Sequence, residues 1–361
     1  MKLSLMKLSK DISQLLHKGT VIPALPLAIG SGRTLDERRQ RALFRYYLDA
    51  GAGGIAVGVH TTQFEIRLPE VNLYNPLLKL ACEEFDHFVS KTGKPVIRIA
   101  GVTGKTRQAL EEAQMAFDNG FHAALLSLAA FKNAGNQELL EHCRQVAQVI
   151  PLFGFYLQPA VGGRNLDVDF WRRFSGIDNV VAVKIAPFNR YNTFDVVRGV
   201  VESGRAGEIA LYTGNDDNIL TDLLTEYHIE TGNKVVKKRI VGGLLGHWSV
   251  WTRTAVKLLE RIQNNNYQCN LQEMLTLAVQ ITDSNAAFFD AANNFAGCIP
   301  GIHEVLRRQG LFENIHTLNE KETLSPGQKE EIDRVWKAYP HLNDDNFVAE
   351  NLSGWLGTVN S

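Results

Sequence analysis

Cysteine is scarce and scattered: Cys82, Cys143, Cys269 and Cys298 are the only four in 361 residues. Wide, irregular spacing of that kind excludes a disulfide framework, and the absence of C-x-x-C removes a zinc signal. Charge of either sign in excess is also missing. The 38 Lys+Arg and 39 Asp+Glu leave a net charge of −1, which excludes a basic surface shaped to neutralise nucleic-acid phosphates. Long hydrophobic runs are absent too. The longest uncharged apolar stretch, 123–131, is far short of a membrane span. Lys2, Lys7, Lys10 and Asp11 interrupt the first apolar stretch, so no secretory core follows Met1 and a cytoplasmic location is expected. The ten histidines form neither H-x-H nor H-E-x-x-H, so no metal site is expected. A complete phosphate loop is lacking as well. GVTGKT at 101–106 would need glycine where Ile99 stands, and a loop leading into a helix capped by Thr106 accounts for it.

What the chain has is a beat. Short apolar runs rich in Val, Ile and Leu, bounded by Gly, Pro or Asn, fall at 21–27, 54–59, 95–100, 123–128, 152–156, 180–185, 209–213 and 239–245. From the third onward their starts are 28, 29, 28, 29 and 30 residues apart. Stretches with apolar residues three and four apart lie between them, as at 106–119, 136–149 and 167–174. Roughly thirty residues is one βαβ unit, and near-continuous apolar strands belong to a parallel sheet covered by helices. Eight such units close a (β/α)8 TIM barrel. A doubly wound sheet would carry a Gly-rich fingerprint after its first strand, and 27–32 lacks that spacing.

The expected organisation is an amphipathic capping helix in 1–19, with Leu3, Leu5, Met6, Ile12, Leu15 and Leu16, followed by the barrel in 20–265. A C-terminal helical extension then occupies 266–342, in which Pro300 opens one helix and Ser325-Pro326 another running through Trp336. A loosely held polar tail is expected over 343–361. The lysine-rich stretch 230–238 reads as a solvated loop.

Barrels of this kind carry their chemistry at the carboxyl ends of strands. Two otherwise apolar strands end on a polar residue, one on Tyr156 and the next on Lys184. Alternation puts Tyr156 with Gly154 and Leu152, and Lys184 with Ala182 and Val180. Both side chains are expected to face the mouth as neighbours. A lysine among apolar groups loses its proton more easily, and the neutral amine condenses with a carbonyl to an imine. A phenol beside it relays the protons. The plain alternative is a lysine that snorkels into water and a tyrosine that packs.

At these residues the sequence resembles the dihydrodipicolinate synthase/N-acetylneuraminate lyase family of class I aldolases, over most of the chain. The resemblance rests on GGIAVGVHTT at 53–62, PVIRIAGVTG at 95–104, NVVAVK ending at Lys184, TGNDD opening with Thr213 and Gly214, and the 28-residue interval from Tyr156 to Lys184. It implies a Schiff base between Lys184 and a 2-keto acid such as pyruvate, with Tyr156 as proton-transfer partner. It also implies that Thr61 and Thr62 hold the keto acid's carboxylate. The chain departs from the pattern elsewhere. Phe131 stands where the synthases carry a second tyrosine, and Val161 where they carry an arginine for the second substrate. Arg164 is three residues beyond. His60 precedes the threonine pair in place of glycine, and Gln63-Phe64 follow it in place of Gly-Glu. His60, Gln63, Phe131, Arg164, Asn189 and His247 are the candidate replacements on the substrate side.

The resemblance therefore implies a lyase or aldolase acting on a small-molecule 2-keto acid, with true dihydrodipicolinate synthase activity in doubt. Two alternatives stand beside it: a Schiff-base dehydratase or hydrolase of a sugar-derived 2-keto acid, and a non-catalytic keto-acid-binding barrel. No cofactor is implied, since the lysine supplies the electron sink. A homodimer or homotetramer is expected, with no membrane or nucleic-acid partner.

Overall fold

A computed structural model describes residues 7–357. Its strands are β1 Val21–Pro23, β2 Gly54–Val57, β3 Ile97–Val102, β4 Ala123–Leu126, β5 Leu152–Leu157, β6 Val180–Ala186, β7 Ala210–Thr213, β8 Glu226–Thr231, β9 Lys234–Arg239 and β10 Gly242–Leu245. The helices before and among them are α1 Lys10–Lys18, α2 Glu37–Ala50, α3 Tyr74–Thr92, α4 Thr106–Asp118, α5 Asn136–Ala147, α6 Val168–Ser175, α7 Arg190–Glu202 and α8 Ile219–Leu224. After β10 follow α9 Thr252–Asn264, α10 Leu271–Phe288, α11 Cys298–Arg308, α12 Gln328–Ala338 and α13 Asp345–Leu356. Eight strands form one sheet in the order β1-β10-β7-β6-β5-β4-β3-β2. The two ends of that order, β1 and β2, are themselves bridged in parallel at Ala24 and Ala56. An eight-stranded sheet that returns on itself is the expected (β/α)8 barrel, and each of its strands overlaps a run read from the sequence.

The chain divides into two compact units, Met1–Thr20 with Ile97–Leu244, and Val21–Val96 with Leu245–Ser361. In the first, β3 to β7 pair in sequence and β7 pairs with β10, all in parallel. Helix α1 opens on Ser9, whose hydroxyl accepts the Ile12 N–H. It is tied to β7 by the Tyr212 hydroxyl, which donates to Leu16 O at 2.9 Å. The expected apolar contributions of Leu3, Leu5 and Met6 lie outside the described residues. Helix α6 buries Phe170, Trp171 and Phe174. Phe174 fills the space over Gly154, where a Cβ would stand 2.6 Å from its ring. Helix α4 begins with Thr106 inside its first turn, not as its cap; the Thr106 hydroxyl meets His142 Nδ1 at 3.0 Å.

The stretch 230–238 is not a solvated loop. It lies in an antiparallel hairpin, β8 against β9, with Ile229 paired to Val236 and Tyr227 to Lys238. Ile229 is buried opposite Val236, so β-branched residues paired across the hairpin, rather than any alternation along it, support the strands. Lys238 is tucked in, its ammonium donating to the Ala206 and Ile209 carbonyls.

In the second unit Leu25 N–H donates to Ala56 O, and Ala24 N–H to Leu245 O. The helical extension differs from expectation in three places. Helix α11 starts at Cys298, so Pro300 sits within its first turn. Helix α12 starts at Gln328 after Gly327, and the Ser325 hydroxyl donates to Asp290 instead of capping. The expected loose tail carries α13, which buries Val348 and Trp355. The Trp355 indole donates to Asp49 of α2 at 2.7 Å, and the Tyr46 hydroxyl to Asp344 at 2.7 Å. Two buried anchors at a helical spacing of seven hold this segment, and Phe347, Leu352 and Leu356 add to its apolar content behind the polar run 343–346.

Candidate active site

Lys184 is the fifth residue of β6, flanked by Val183 and Ile185, and only 8% of it is exposed. Its register partners are Phe155 on β5 and Tyr212 on β7. In a parallel ladder partners share a face, and the Phe155 ring lies 4.6 Å from the ammonium. On the other side the stem is pressed by Gly214. A Cβ there would stand 2.5 Å from Lys184 Cε and 2.8 Å from the Ala186 Cβ. Glycine at this position is what lets the lysine lie flat. Burial pulls the ammonium down from its usual range to about 8, while the Asp216 carboxylate pulls it upward. Among the described residues none accepts a hydrogen bond from Lys184 Nζ.

Tyr156 is not beside it. Its register partner is Ile185, one residue out of phase with Lys184, so its side chain leaves the opposite face of the sheet. The ring packs on Trp171 of α6 at 5.5 Å, and the hydroxyl accepts the Leu166 N–H at 3.1 Å. The expectation that phenol and amine share the mouth is therefore corrected. Alternation fixes which residues of one strand go together, not which set faces inward. Here the set of Phe155 is inward and that of Tyr156 and Gly154 is outward, after a register shift between Leu152 and Phe153.

The turn after β7 is built on buried polar groups. The Asp222 carboxylate, 1% exposed, accepts from the Thr213 hydroxyl at 2.6 Å, from Asn215 Nδ2 at 2.9 Å and from Arg190. Asn215 Oδ1 takes the Phe188 N–H, and Gly214 N–H bonds Ile185 O at 2.7 Å. With Thr213 and Asn215 fixed on either side, Gly214 is held against the lysine stem, and Asp216, 6% exposed, follows. Thr213 thus anchors the turn through its side chain.

Two further candidates in this unit serve the loop after β4. Phe131 is buried on His142 of α5, ring centroids 4.6 Å apart. Arg164 donates to the Phe131 and Ala134 carbonyls, so its guanidinium clamps backbone, not a ligand's carboxylate. Asn189 caps α7 by accepting the Asn192 N–H.

In the second unit the turn His60–Thr62 follows β2. The Thr61 hydroxyl donates to Ala24 O at 2.8 Å and the Thr62 hydroxyl to Leu25 O at 2.7 Å. Thr62 N–H goes to Val59 O. The pair's hydroxyl protons hold the turn to β1 and are not available to a carboxylate. Gln63 adopts φ +67°, where the family pattern has glycine. It is 1% exposed, and its Oε1 accepts Leu318 N–H at 2.6 Å. His60 lies 6.0 Å from the Phe64 ring. His247 is buried, stacked on Phe288 at 5.8 Å, and burial pushes its pKa down to about 4, so it is a neutral ring in the packing of α10.

The sequence reading missed Phe155 as the inward neighbour of Lys184, and the Arg190–Asp222–Asn215 network. The polar run 213–217 at a strand end was the available signal for the latter. Among the described residues no cluster of three His, Cys, Asp or Glu is placed to hold a metal ion, and no helix is long and apolar enough to cross a membrane.

A family model described as "Dihydrodipicolinate synthetase family" matches residues 18–228. The chain is 30% identical over 169 residues to a 4-hydroxy-tetrahydrodipicolinate synthase of Acaryochloris marina, a match covering 45% of this chain and 55% of that relative, so about half its length. It is 26% identical over 301 residues to the enzyme of that name from Saccharophagus degradans, across 82% of this chain and 90% of the relative. In fold it is similar to N-acetylneuraminate lyase from Fusobacterium nucleatum, with a TM-score of 0.69 at 15% identity over 90% of this chain and 99% of the other.

Proposed function

Since the chain belongs to the dihydrodipicolinate synthetase family, we propose that it is a carbon–carbon lyase or aldolase that binds a 2-keto acid as an imine on Lys184. The observation that carries this reading is the state of that amine. It is enclosed by Phe155 and Gly214, and its pKa is lowered to about 8 by burial. At pH 7 about a tenth of such an amine is neutral, against a few in ten thousand, roughly, for an ordinary lysine. The neutral amine attacks the keto carbon, water leaves, and the resulting iminium accepts the electron pair when the adjacent carbon–carbon bond forms or breaks. Phe155 keeps water from the nitrogen, and Gly214 fixes the stem along which it reaches.

Arg164 favours one second reading. With its guanidinium on the Phe131 and Ala134 carbonyls, the anion-binding group expected for a second carboxylate is committed elsewhere. That favours dehydration or hydrolysis of a hydroxylated, sugar-derived 2-keto acid on the same imine. Product analysis with such acids, compared with pyruvate and aldehydes, separates the two. The common step is tested by incubating the protein with pyruvate and sodium cyanoborohydride. The intact mass should rise by the reduced pyruvate adduct in the wild type and stay unchanged in Lys184→Ala. No adduct with any of a panel of 2-keto acids would remove both readings.

A further inference from the structure

A buried iminium needs something to hold its charge. Val183 and Ile185 flank Lys184 along β6, and Gly214 and Ala186 lie against its stem. Burial in such surroundings disfavours a cation, so an unsupported iminium sheds its N–H proton and loses its pull on electrons. One group faces the nitrogen directly. Phe155 is the register partner of Lys184 on β5 and shares its face of the sheet. The ammonium lies over the Phe155 ring, 4.6 Å from the centroid, and the ring itself is half-buried. The face of a phenyl ring is the negative side of its quadrupole, and its attraction for a cation within about 6 Å is strongest where water is excluded. Two titratable groups also bear on Lys184. The Asp216 charge raises its pKa, and Tyr212, its register partner on β7, turns its hydroxyl away to Leu16 O. We propose that the face of Phe155 holds the charge of the Lys184 iminium, keeping the imine in the protonated form that draws electrons. This rests on the reading of Lys184 given above.

The exchange balances without another reactant. Ammonium and keto acid give iminium and water. The C–N bond forms as the carbonyl π electrons move to oxygen, the C–O bond then breaks with its electron pair, and two protons from nitrogen leave in the water. Nitrogen is charged at the start and at the end, and neutral in the free amine and the carbinolamine between. Phe155 therefore stabilises both charged forms and neither neutral one.

That symmetry gives the test its sign. Phenylalanine carrying one, two or three ring fluorines at residue 155 keeps the side chain nearly constant in size while draining negative charge from the ring face. With cyanoborohydride in excess, the pH at which pyruvate adduct formation levels off reads the Lys184 pKa. It should fall stepwise along the series, and in Phe155→Leu from about 8 to about 7. With cyanoborohydride limiting, the rate reads the iminium population, since the neutral imine is not reduced. At about pH 9.5, where the amine starts neutral, that rate should fall stepwise, and roughly tenfold in Phe155→Leu. At about pH 6, where the ammonium is the starting state, it should not fall, because both ends of the exchange lose the same support. A flat fluorine series at both pH values would overturn the proposal. An equal fall at both would overturn it too, by showing that the ring serves packing or keto-acid binding. Absence of adduct in the wild type would remove the imine reading and this proposal together, whereas a flat series removes this one alone.

Discussion

Lys184 is buried and Lys238 half-buried, and desolvation has pulled both ammonium groups down to about 8, yet they differ in what they hold. Lys238 donates to the Ala206 and Ile209 carbonyls and secures a hairpin. Among the described residues Lys184 has no such acceptor, which leaves its nitrogen for a ligand. The lowered pKa gives a pH signature. The rate of cyanoborohydride-trapped adduct formation should climb with the neutral fraction and level off near pH 8, whereas an ordinary lysine would keep climbing beyond pH 10. The same shift bears on stability. Between about 8 and the unfolded value of 10.5, the unfolded chain binds more protons at this residue, so the Lys184 contribution rises with pH across that window. Tyr156 makes the opposite prediction. Its hydroxyl accepts one buried N–H, so Tyr156→Phe should destabilise the fold by about 1 kcal/mol in denaturant titration. Adduct formation should proceed at close to the wild-type rate; a loss of a hundredfold or more would place the phenol back in the chemistry.

At the scale of elements, the turn after β7 does more for the site than any single strand. Its glycine is required by contact and not by backbone angle, because an added Cβ at residue 214 meets Lys184 Cε at 2.5 Å. Gly214→Ala should therefore push the lysine off its track and slow adduct formation at least tenfold, with little change in helix content by circular dichroism. An unchanged rate would show that the stem is not held there. The same scale shows what the sequence made legible. All eight barrel strands were visible, because a strand buried on both faces is an apolar run and its boundaries are Gly, Pro or Asn. The inward parity of β5 was not. The residues Phe153, Phe155 and Tyr156 put aromatics on both faces, and a register shift at Leu152 and Phe153 decides between them. The hairpin β8–β9 was hidden by its lysines. Helix α13 was hidden because Asn343, Asp344, Asp345 and Asn346 open the segment with a polar run, although Phe347, Val348, Leu352, Trp355 and Leu356 follow at helical spacing. Lys184 itself was legible as the one charged residue in a seven-residue strand, but its partners come from register and turn geometry, which spacing along one chain does not encode.

For the molecule as a whole, the fold is a (β/α)8 barrel and the family is the dihydrodipicolinate synthetase family, while several candidate recognition residues hold structure instead. Thr61 and Thr62 hold β2's turn to β1, Arg164 clamps the loop of Phe131 and Ala134, and His247 packs on α10. The enclosed amine is what remains with chemical reach, so the account depends on where a keto acid becomes attached. The direct measurement is peptide mapping by tandem mass spectrometry after reduction of the protein with pyruvate. The account predicts a single modified site, on Lys184, absent in Lys184→Ala. Modification spread over surface lysines, or placed on Lys238 with Lys184 untouched, would contradict it.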